Sequence, residues 1–234
     1  MDLFYEPGID APGQYEITQQ EHIHLTKVFR YKVGDTMKFT NGRGSLFEAI
    51  ILNVYKKHSV VELTKVLDNI ENKPLLHIAI APTKNIARFE WFLEKITEIG
   101  IGEITPILCK HSERKHIKVE RLNKVLIAAM KQSQSSYLPK LNELITWKDF
   151  LKELPKADLK LLATCNEGNK KTLKAIIKKD VSSLITIGPE GDFSQEEIES
   201  ALDNKFELLS LGNKRLRTET AGVVACNIFN FLNE

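Results

Sequence analysis

Ser183-Leu184-Ile185-Thr186-Ile187-Gly188-Pro189-Glu190-Gly191-Asp192-Phe193-Ser194 reads as a buried strand running straight into a glycine-bracketed turn. Two glycines around Pro-Glu let the backbone approach a ligand closely. Ser194 and Glu197 form an S-x-x-E capping box, so a helix is expected to begin at once. A tight strand-to-helix connection that needs glycine only for steric room has the same signature, and the turn alone leaves both readings open. Two familiar nucleotide loops are excluded. G-x-x-G lacks the G-x-G-x-x-G spacing of a dinucleotide site, and no Lys-Ser/Thr follows to make a P-loop. Gly42-x-Gly44 fails the same test, because Phe47 stands where a third glycine is needed.

Working outward, a second glycine-marked loop follows: Leu211-Gly212-Asn213-Lys214-Arg215-Leu216-Arg217-Thr218-Glu219-Thr220-Ala221. Phe206–Leu211 reads as a strand and Thr218 as the cap of a last helix, with Glu219 favourably placed near its N-terminus. Glu219 could satisfy backbone donors there or bind Arg217. Upstream, strands at 75–80, 104–108 and 159–163 alternate with helical stripes. Phe89, Phe92, Leu93, Ile96 and Ile99 recur at helical spacing, with Gly100 as the stop. Leu122, Val125, Leu126, Ala129 and Met130 form another stripe, Thr146 is expected to cap a short helix, and Leu173–Lys178 reads as helical. This alternation predicts an α/β domain with a mainly parallel sheet. In such sheets ligands sit beyond the carboxyl ends of the strands, so the loops after Ala163, Ile187 and Leu211 are the candidate site.

Residues 1–72 have a different texture. Thr36–Thr40 alternates, Asn41-Gly42-Arg43-Gly44 supplies turn residues, and Ser45–Tyr55 and Ser59–Thr64 resume as strands. A short helix is expected near Gln19–Phe29, with His22 and His24 on its surface. Closely connected short strands suggest a small barrel, which divides the chain into 1–72 and 73–234.

The 234 residues carry 33 Lys+Arg against 31 Asp+Glu, a formal +2 that names no partner. The balance is uneven: residues 1–72 are net −2 and the remainder net +4, and 110–131 holds seven basic residues against two Glu. Lys110–Lys118 is therefore a candidate track for phosphates or, equally, a solvated loop. Trp91 lies off the core stripe of its helix and is a candidate for base stacking. Cys109, Cys165 and Cys226 are widely spaced, which fits buried free thiols and a reducing cytoplasm rather than disulfides or a zinc site. No metal is expected, and no apolar run suggests a secretory signal or a membrane span.

Gly188-Pro-Glu-Gly191 and Leu211-Gly212…Leu216-Arg217-Thr218-Glu219-Thr220-Ala221 resemble the signature loops of the SPOUT methyltransferases. Within them the match is to the RsmE family, which methylates N3 of a uridine in 16S (small-subunit) ribosomal RNA. Glu94-Lys95-x-Thr97-Glu98-x-Gly100, Ile104-Thr105-Pro106 and His22…Val28-Phe29-Arg30…Gly34-Asp35 are similar to further segments of that family, so the resemblance spans nearly the whole chain. It implies S-adenosylmethionine held in a deep trefoil knot of the C-terminal α/β domain, a PUA-like RNA-binding barrel before it, and a cytoplasmic homodimer acting on 16S rRNA or the 30S subunit. Ile187, Gly188 and Gly191 would line one side of the cofactor; Leu211, Gly212, Leu216, Arg217, Thr218 and Thr220 the other, with Thr164 on the third loop. Arg30, Lys84, Arg114 and Lys115 would contact RNA.

The sequence departs from the family pattern at Asp192, where a second glycine is frequent, at Lys214, where arginine is frequent, and at Arg215, where an aliphatic residue is frequent. The family's Glu-Gln-Ser-x-Arg run appears as Lys131-Gln132-Ser133-Gln134-Ser135. Uracil N3 carries a proton at neutral pH, so methyl transfer needs a base or stabilisation of the developing uracilate. Arg217 is expected to supply the stabilisation, and Glu219 is the candidate for proton transfer. Alternative readings are a related enzyme methylating ribose 2′-OH or tRNA, and a catalytically inactive ribosome-binding module.

Overall fold

The structure, a computed structural model, describes residues 2–69, 75–166 and 170–234. The expected boundary between residues 72 and 73 lies outside the described residues. The chain groups into two units, Met1–Lys73 with Ile127–Leu138, and Pro74–Leu126 with Pro139–Glu234.

The first unit is built on β1 (Leu3–Tyr5), β2 (Gly13–Thr18), α1 (Gln19–Ile23), β3 (Thr36–Thr40), β4 (Ser45–Val54) and β5 (His58–Asn69). The sheet order is β1-β3-β4-β5-β2. β1 runs parallel to β3, and the other pairings are antiparallel. Side chains of a strand alternate between faces. Met37 and Phe39, Phe47, Ala49 and Ile51, and Val61 and Leu63 all turn to one core with Phe4, Ile17 and Leu25. α1 continues into a π-helical turn, His24–Val28, within the expected helical stretch. His22 is buried rather than on the surface: its Nδ1 meets Ser59 Oγ at 3.0 Å.

The segment Ile127–Leu138 is tied into this unit by backbone and charge. Thr40 Oγ1 and the Gly44 amide both donate to the Ser136 carbonyl, at 2.9 Å each. Lys131 Nζ donates to both Glu21 carboxylate oxygens, at 2.8 and 2.9 Å. The lysine at the start of the Lys131–Ser135 run is thus committed to an ion pair.

The second unit holds β6 (Leu76–Ile80), α2 (Ile86–Ile99), β7 (Glu103–Leu108), α3 (Val119–Gln132), β8 (Lys140–Leu141), β9 (Ile145–Thr146), α4 (Trp147–Lys152), β10 (Leu159–Ala163), β11 (Lys171–Thr172), α5 (Leu173–Ile176), β12 (Ser183–Ile187), α6 (Gln195–Asp203), β13 (Glu207–Ser210) and α7 (Thr218–Asn233). The last part of α3 is the portion grouped with the first unit. The strand order is β11-β13-β10-β12-β6-β7-β8, with β9 also on β7, and every described pairing is parallel. The expected α/β class and parallel sheet are therefore present.

Both faces of this sheet are covered, which is why β12 is buried at every position. Ala79, Ala81, Leu162 and Leu184 pack with Trp147 and Phe150 of α4 and Ile198 and Ala201 of α6. α7 packs on α2, β6 and β12. Its Gly222 allows that approach: an added Cβ would stand 2.3 Å from the Phe92 ring. α5 ends two residues earlier than expected, because Ile177 is extended. Cys109 and Cys226 are buried, and burial pushes the Cys226 thiol up to about 12, whereas Cys165 is exposed, against expectation. Among the described residues no helix is long and apolar enough to cross a membrane.

Candidate active site

The loop leaving β12 is held from several directions. The Asp192 amide donates to the Pro189 carbonyl at 2.9 Å, closing the turn. At Gly188 an added Cβ would stand 3.0 Å from the Phe193 ring and 3.1 Å from the Phe193 nitrogen, so a side chain there would require Phe193 to give way. Phe193 itself is buried, its ring 5.1 Å from that of Trp147. The expected capping box is present: Ser194 Oγ accepts from the Glu197 amide, and Glu197 Oε2 accepts from the Ser194 amide at 2.8 Å. The other Glu197 oxygen accepts from the Lys110 amide at 2.8 Å, joining the loop after β7. Lys110 Nζ pairs with Glu196 at 2.7 Å, which lowers the Glu196 carboxyl and raises the Lys110 amine. Glu190 Oε1 accepts from the Lys84 amide at 2.9 Å.

The loop leaving β13 has fewer and longer bonds. Ser210 Oγ lies 3.4 Å from both the Gly212 nitrogen and its carbonyl oxygen, and Arg215 Nη2 donates to the Glu190 carbonyl at 3.4 Å. Gly212 has φ 128°, a conformation that disfavours any side chain, although a Cβ there would meet nothing within 4 Å. Arg217, not Thr218, is the cap residue of α7. Thr218 is the first helical residue, and its hydroxyl donates to the Gly188 carbonyl at 3.1 Å, so its side chain links the two loops instead of capping the helix.

Arg217 is exposed, and among the described residues its guanidinium has no hydrogen-bond or ion-pair partner. Glu219 is buried and faces Arg88 Nε at 3.8 Å rather than Arg217. Its Oε2 has no hydrogen-bond partner among the described residues.

Between these loops and the one leaving β10 lies a cavity of about 730 Å³. Of the residues expected at the cofactor, Thr164, Ile187, Gly188, Leu211, Gly212, Leu216, Arg217 and Thr218 line it. Gly191 and Thr220 are not in its lining; Gly191 packs instead against His111, whose Cβ would be 3.0 Å from an added Cβ. Nor is Glu219 in the lining. Lys170, Glu190, Asp192 and Ser210, not among the residues expected at the cofactor, also border the cavity. The departure from glycine at Asp192 was the available signal for the third of these.

The expected RNA contacts differ in their commitments. Arg30 is exposed, at the left-handed φ of 57°, and Lys115 is exposed. Lys84 pairs with Glu113 at 2.7 Å. Arg114 is half-buried, donating from Nε to the Thr83 carbonyl at 3.0 Å and from Nη2 to the Lys84 carbonyl at 2.6 Å. Two of its donors therefore serve the fold. Trp91 is exposed on α2. Among the described residues no group of three or more His, Cys, Asp or Glu side chains could hold a metal ion.

Comparison with known proteins bears on this pocket. The profile of the RNA methyltransferase domain family matches residues 71–230. The ribosomal RNA small subunit methyltransferase E of Rickettsia conorii is 32% identical over 95% of this chain and 92% of its own length. The crystal structure of a "probable rRNA-methyltransferase" from Porphyromonas gingivalis superposes with a TM-score of 0.90 at 39% identity, over 100% of this chain and 98% of that one. The structure of a "putative methyltransferase" from Legionella pneumophila in complex with the bound cofactor SAM gives a TM-score of 0.87 at 30% identity, over 99% and 97%.

Proposed function

We propose, for a chain that belongs to the RNA methyltransferase domain family and within it to the ribosomal RNA small subunit methyltransferase E proteins, that it methylates N3 of a uridine in 16S ribosomal RNA with S-adenosylmethionine as donor. The observation that carries this reading is the unpartnered Arg217 guanidinium in the wall of the three-loop cavity. The relatives' names supply the substrate class, and the Legionella protein supplies the cofactor.

The cavity fits such a cofactor. Its volume lies inside the range of about 300–1,000 Å³ of small-molecule sites. Apolar side chains of Ile187, Leu209, Leu211 and Leu216 suit a nucleoside base, and backbone polar groups at Gly188 and Gly212 suit its hydroxyl and amino groups. S-adenosylmethionine supplies a methyl group already activated by its sulfonium. The loops contribute placement, holding the acceptor in line and so removing much of the entropic part of the barrier.

Arg217 contributes charge. As N3 gives up its proton to solvent water, negative charge spreads to the uracil carbonyl oxygens, and the free guanidinium at the cavity wall stabilises it. Arg114, by contrast, has two of its donors held by backbone carbonyls. Glu219 takes a supporting role in this reading: its carboxylate anchors the first turn of α7 to Arg88 of α2.

The same reading extends to architecture and partners. The three loops bordering the cavity follow parallel strands, as the deep trefoil knot of the SPOUT enzymes requires. The five-stranded sheet of the first unit is read as the PUA-like barrel, with Arg30 on its RNA side and Lys84, Arg114 and Lys115 contributing contacts from the second unit. A homodimer working in the cytoplasm on the assembled 30S subunit completes the proposal. It is tested by incubating the protein with S-adenosylmethionine and small subunits that lack the modification, then analysing nucleosides by mass spectrometry. N3-methyluridine is the expected product. A 2′-O-methyl nucleoside, or methylation of tRNA instead, would overturn the assignment, and no methylation with or without cofactor binding would favour a ribosome-binding module.

A further inference from the structure

Asp192 sits at φ 63°, in the left-handed region where glycine is most at ease and Asp or Asn come next. Its carboxylate makes bonds that a glycine could not. Oδ1 accepts from the adjacent Phe193 amide at 2.8 Å, which holds the side chain in place over its own backbone. Oδ2 reaches across to the loop leaving β10, where it accepts from Thr164 Oγ1 at 2.9 Å and from the Cys165 amide at 2.8 Å. The Asp192 carbonyl accepts from His111 Nδ1, on the loop leaving β7, at 3.0 Å. One residue thus joins three loops, and two of them border the cavity that Asp192 itself lines.

Among its described residues the loop leaving β10 has few other ties. Thr164 Oγ1 accepts from the Asn166 amide at 3.1 Å, and Lys170 Nζ donates to the Thr164 and Cys165 carbonyls at 3.4 Å. All of these bonds are internal to that loop. Among the described residues, the Asp192 carboxylate is what fixes Thr164 and Cys165 against the Gly188–Phe193 turn. Charge-assisted bonds of this kind are about twice as strong as neutral ones.

We propose that Asp192 is a positioning residue for the cofactor: its carboxylate latches the Thr164–Cys165 loop to the Gly188–Phe193 turn, so that this wall of the cavity is preorganised before S-adenosylmethionine binds. Preorganisation raises affinity by removing the ordering cost from the binding step. The inference rests on the proposed identity of the cofactor. The effect belongs in cofactor affinity, because the latch holds the binding wall and does not touch the methyl acceptor.

The left-handed backbone makes the test clean. Asp192→Gly removes the carboxylate at a φ that glycine adopts freely, so the turn is kept while the latch is lost. Asp192→Asn keeps one carbonyl oxygen, able to accept from Thr164 Oγ1 and the Cys165 amide. Two quantities are measured on the full chain: hydrogen exchange at the Cys165 amide without cofactor, and the dissociation constant and KM for S-adenosylmethionine together with kcat at saturation. The glycine variant is expected to exchange the Cys165 amide at least about tenfold faster and to bind cofactor at least about tenfold more weakly, because both charge-assisted bonds of the latch are lost. Its kcat at saturating cofactor should change far less than KM, and the asparagine variant should recover most of both effects.

Unchanged exchange at Cys165 in the glycine variant would overturn the latch. A fall in kcat with KM unchanged would overturn its role in cofactor binding. If the wild-type chain binds no S-adenosylmethionine, the cofactor reading and the positioning role fall together, whereas a change in exchange would still establish the latch.

Discussion

The two glycine-marked loops that meet at the cavity are built in opposite ways. The turn Gly188–Ser194 is braced: a capping box closes it onto α6, Phe193 anchors it in the core, and Asp192 and Glu197 tie it to the loops after β10 and β7. The stretch Leu211–Arg217 is nearly unbraced, with bonds of 3.4 Å at Gly212 and Arg215 and its charged side chains exposed. Thr218, at its end, is what joins it to Gly188. The difference suggests a division of labour. A wall that shapes a cofactor gains from rigidity, while a wall that presents a cation to an incoming base must keep its donors free.

The largest effect should come from the unbraced side. Arg217→Ala is expected to lower kcat for methyl transfer about 10²–10³-fold, the range found when one donor to a developing oxyanion is removed. Methyl incorporation into unmodified small subunits measures it. A variant that folds, binds cofactor and methylates at the wild-type rate would remove Arg217 from the account and end the contrast between the loops.

Glycine-to-alanine exchanges come next and probe the two walls separately. Gly188→Ala drives a methyl into the Phe193 ring and backbone, and overpacking of this kind costs about 1–3 kcal/mol. Thermal melting should show the loss, and calorimetry should show weakened cofactor binding. At Gly212 the same exchange meets open space but strains a φ of 128°. The unbraced loop can shift to relieve that strain, so cofactor affinity should fall while the melting temperature moves less than in Gly188→Ala. Equal melting losses would mean that both loops are equally constrained.

Smaller effects separate brace from surface. Ser194→Ala breaks the capping box, for which about 1 kcal/mol and roughly 2–4 °C in melting temperature are expected. Arg215→Ala removes one long bond from an exposed side chain and should stay within about 0.5 kcal/mol in stability by chemical denaturation. If the order of these two is reversed, the loop leaving β13 is held more firmly than its bonds indicate.

The fold was legible where local chemistry and tertiary packing agree. The strands at Thr36–Thr40, Leu159–Ala163 and Ser183–Ile187, the cap at Thr146 and the box at Ser194 all carry their signals within a few residues. What the sequence hid lies in long-range pairings. Thr218 has the residue type of a cap, yet its hydroxyl answers a carbonyl 30 positions away, at Gly188. Glu219 reads as a partner for its neighbour Arg217, but the helical turn carries it inward to Arg88. His22 looks like one of two surface histidines until Ser59 supplies its partner. In the site, Gly188 and Gly212 border the cavity while Gly191 does not, and Asp192, Glu190 and Lys170 enter the lining because parallel strands bring together loops that the sequence keeps apart.

The most direct test is hydrogen exchange across the whole chain with and without S-adenosylmethionine. Protection is expected at residues 163–166, 187–193 and 209–218 together, and most strongly at 209–218, because the loop with the weakest bonds has the most order to gain. Cofactor-dependent protection elsewhere, or protection of the Gly188–Phe193 turn without the Leu211–Arg217 loop, would contradict the account.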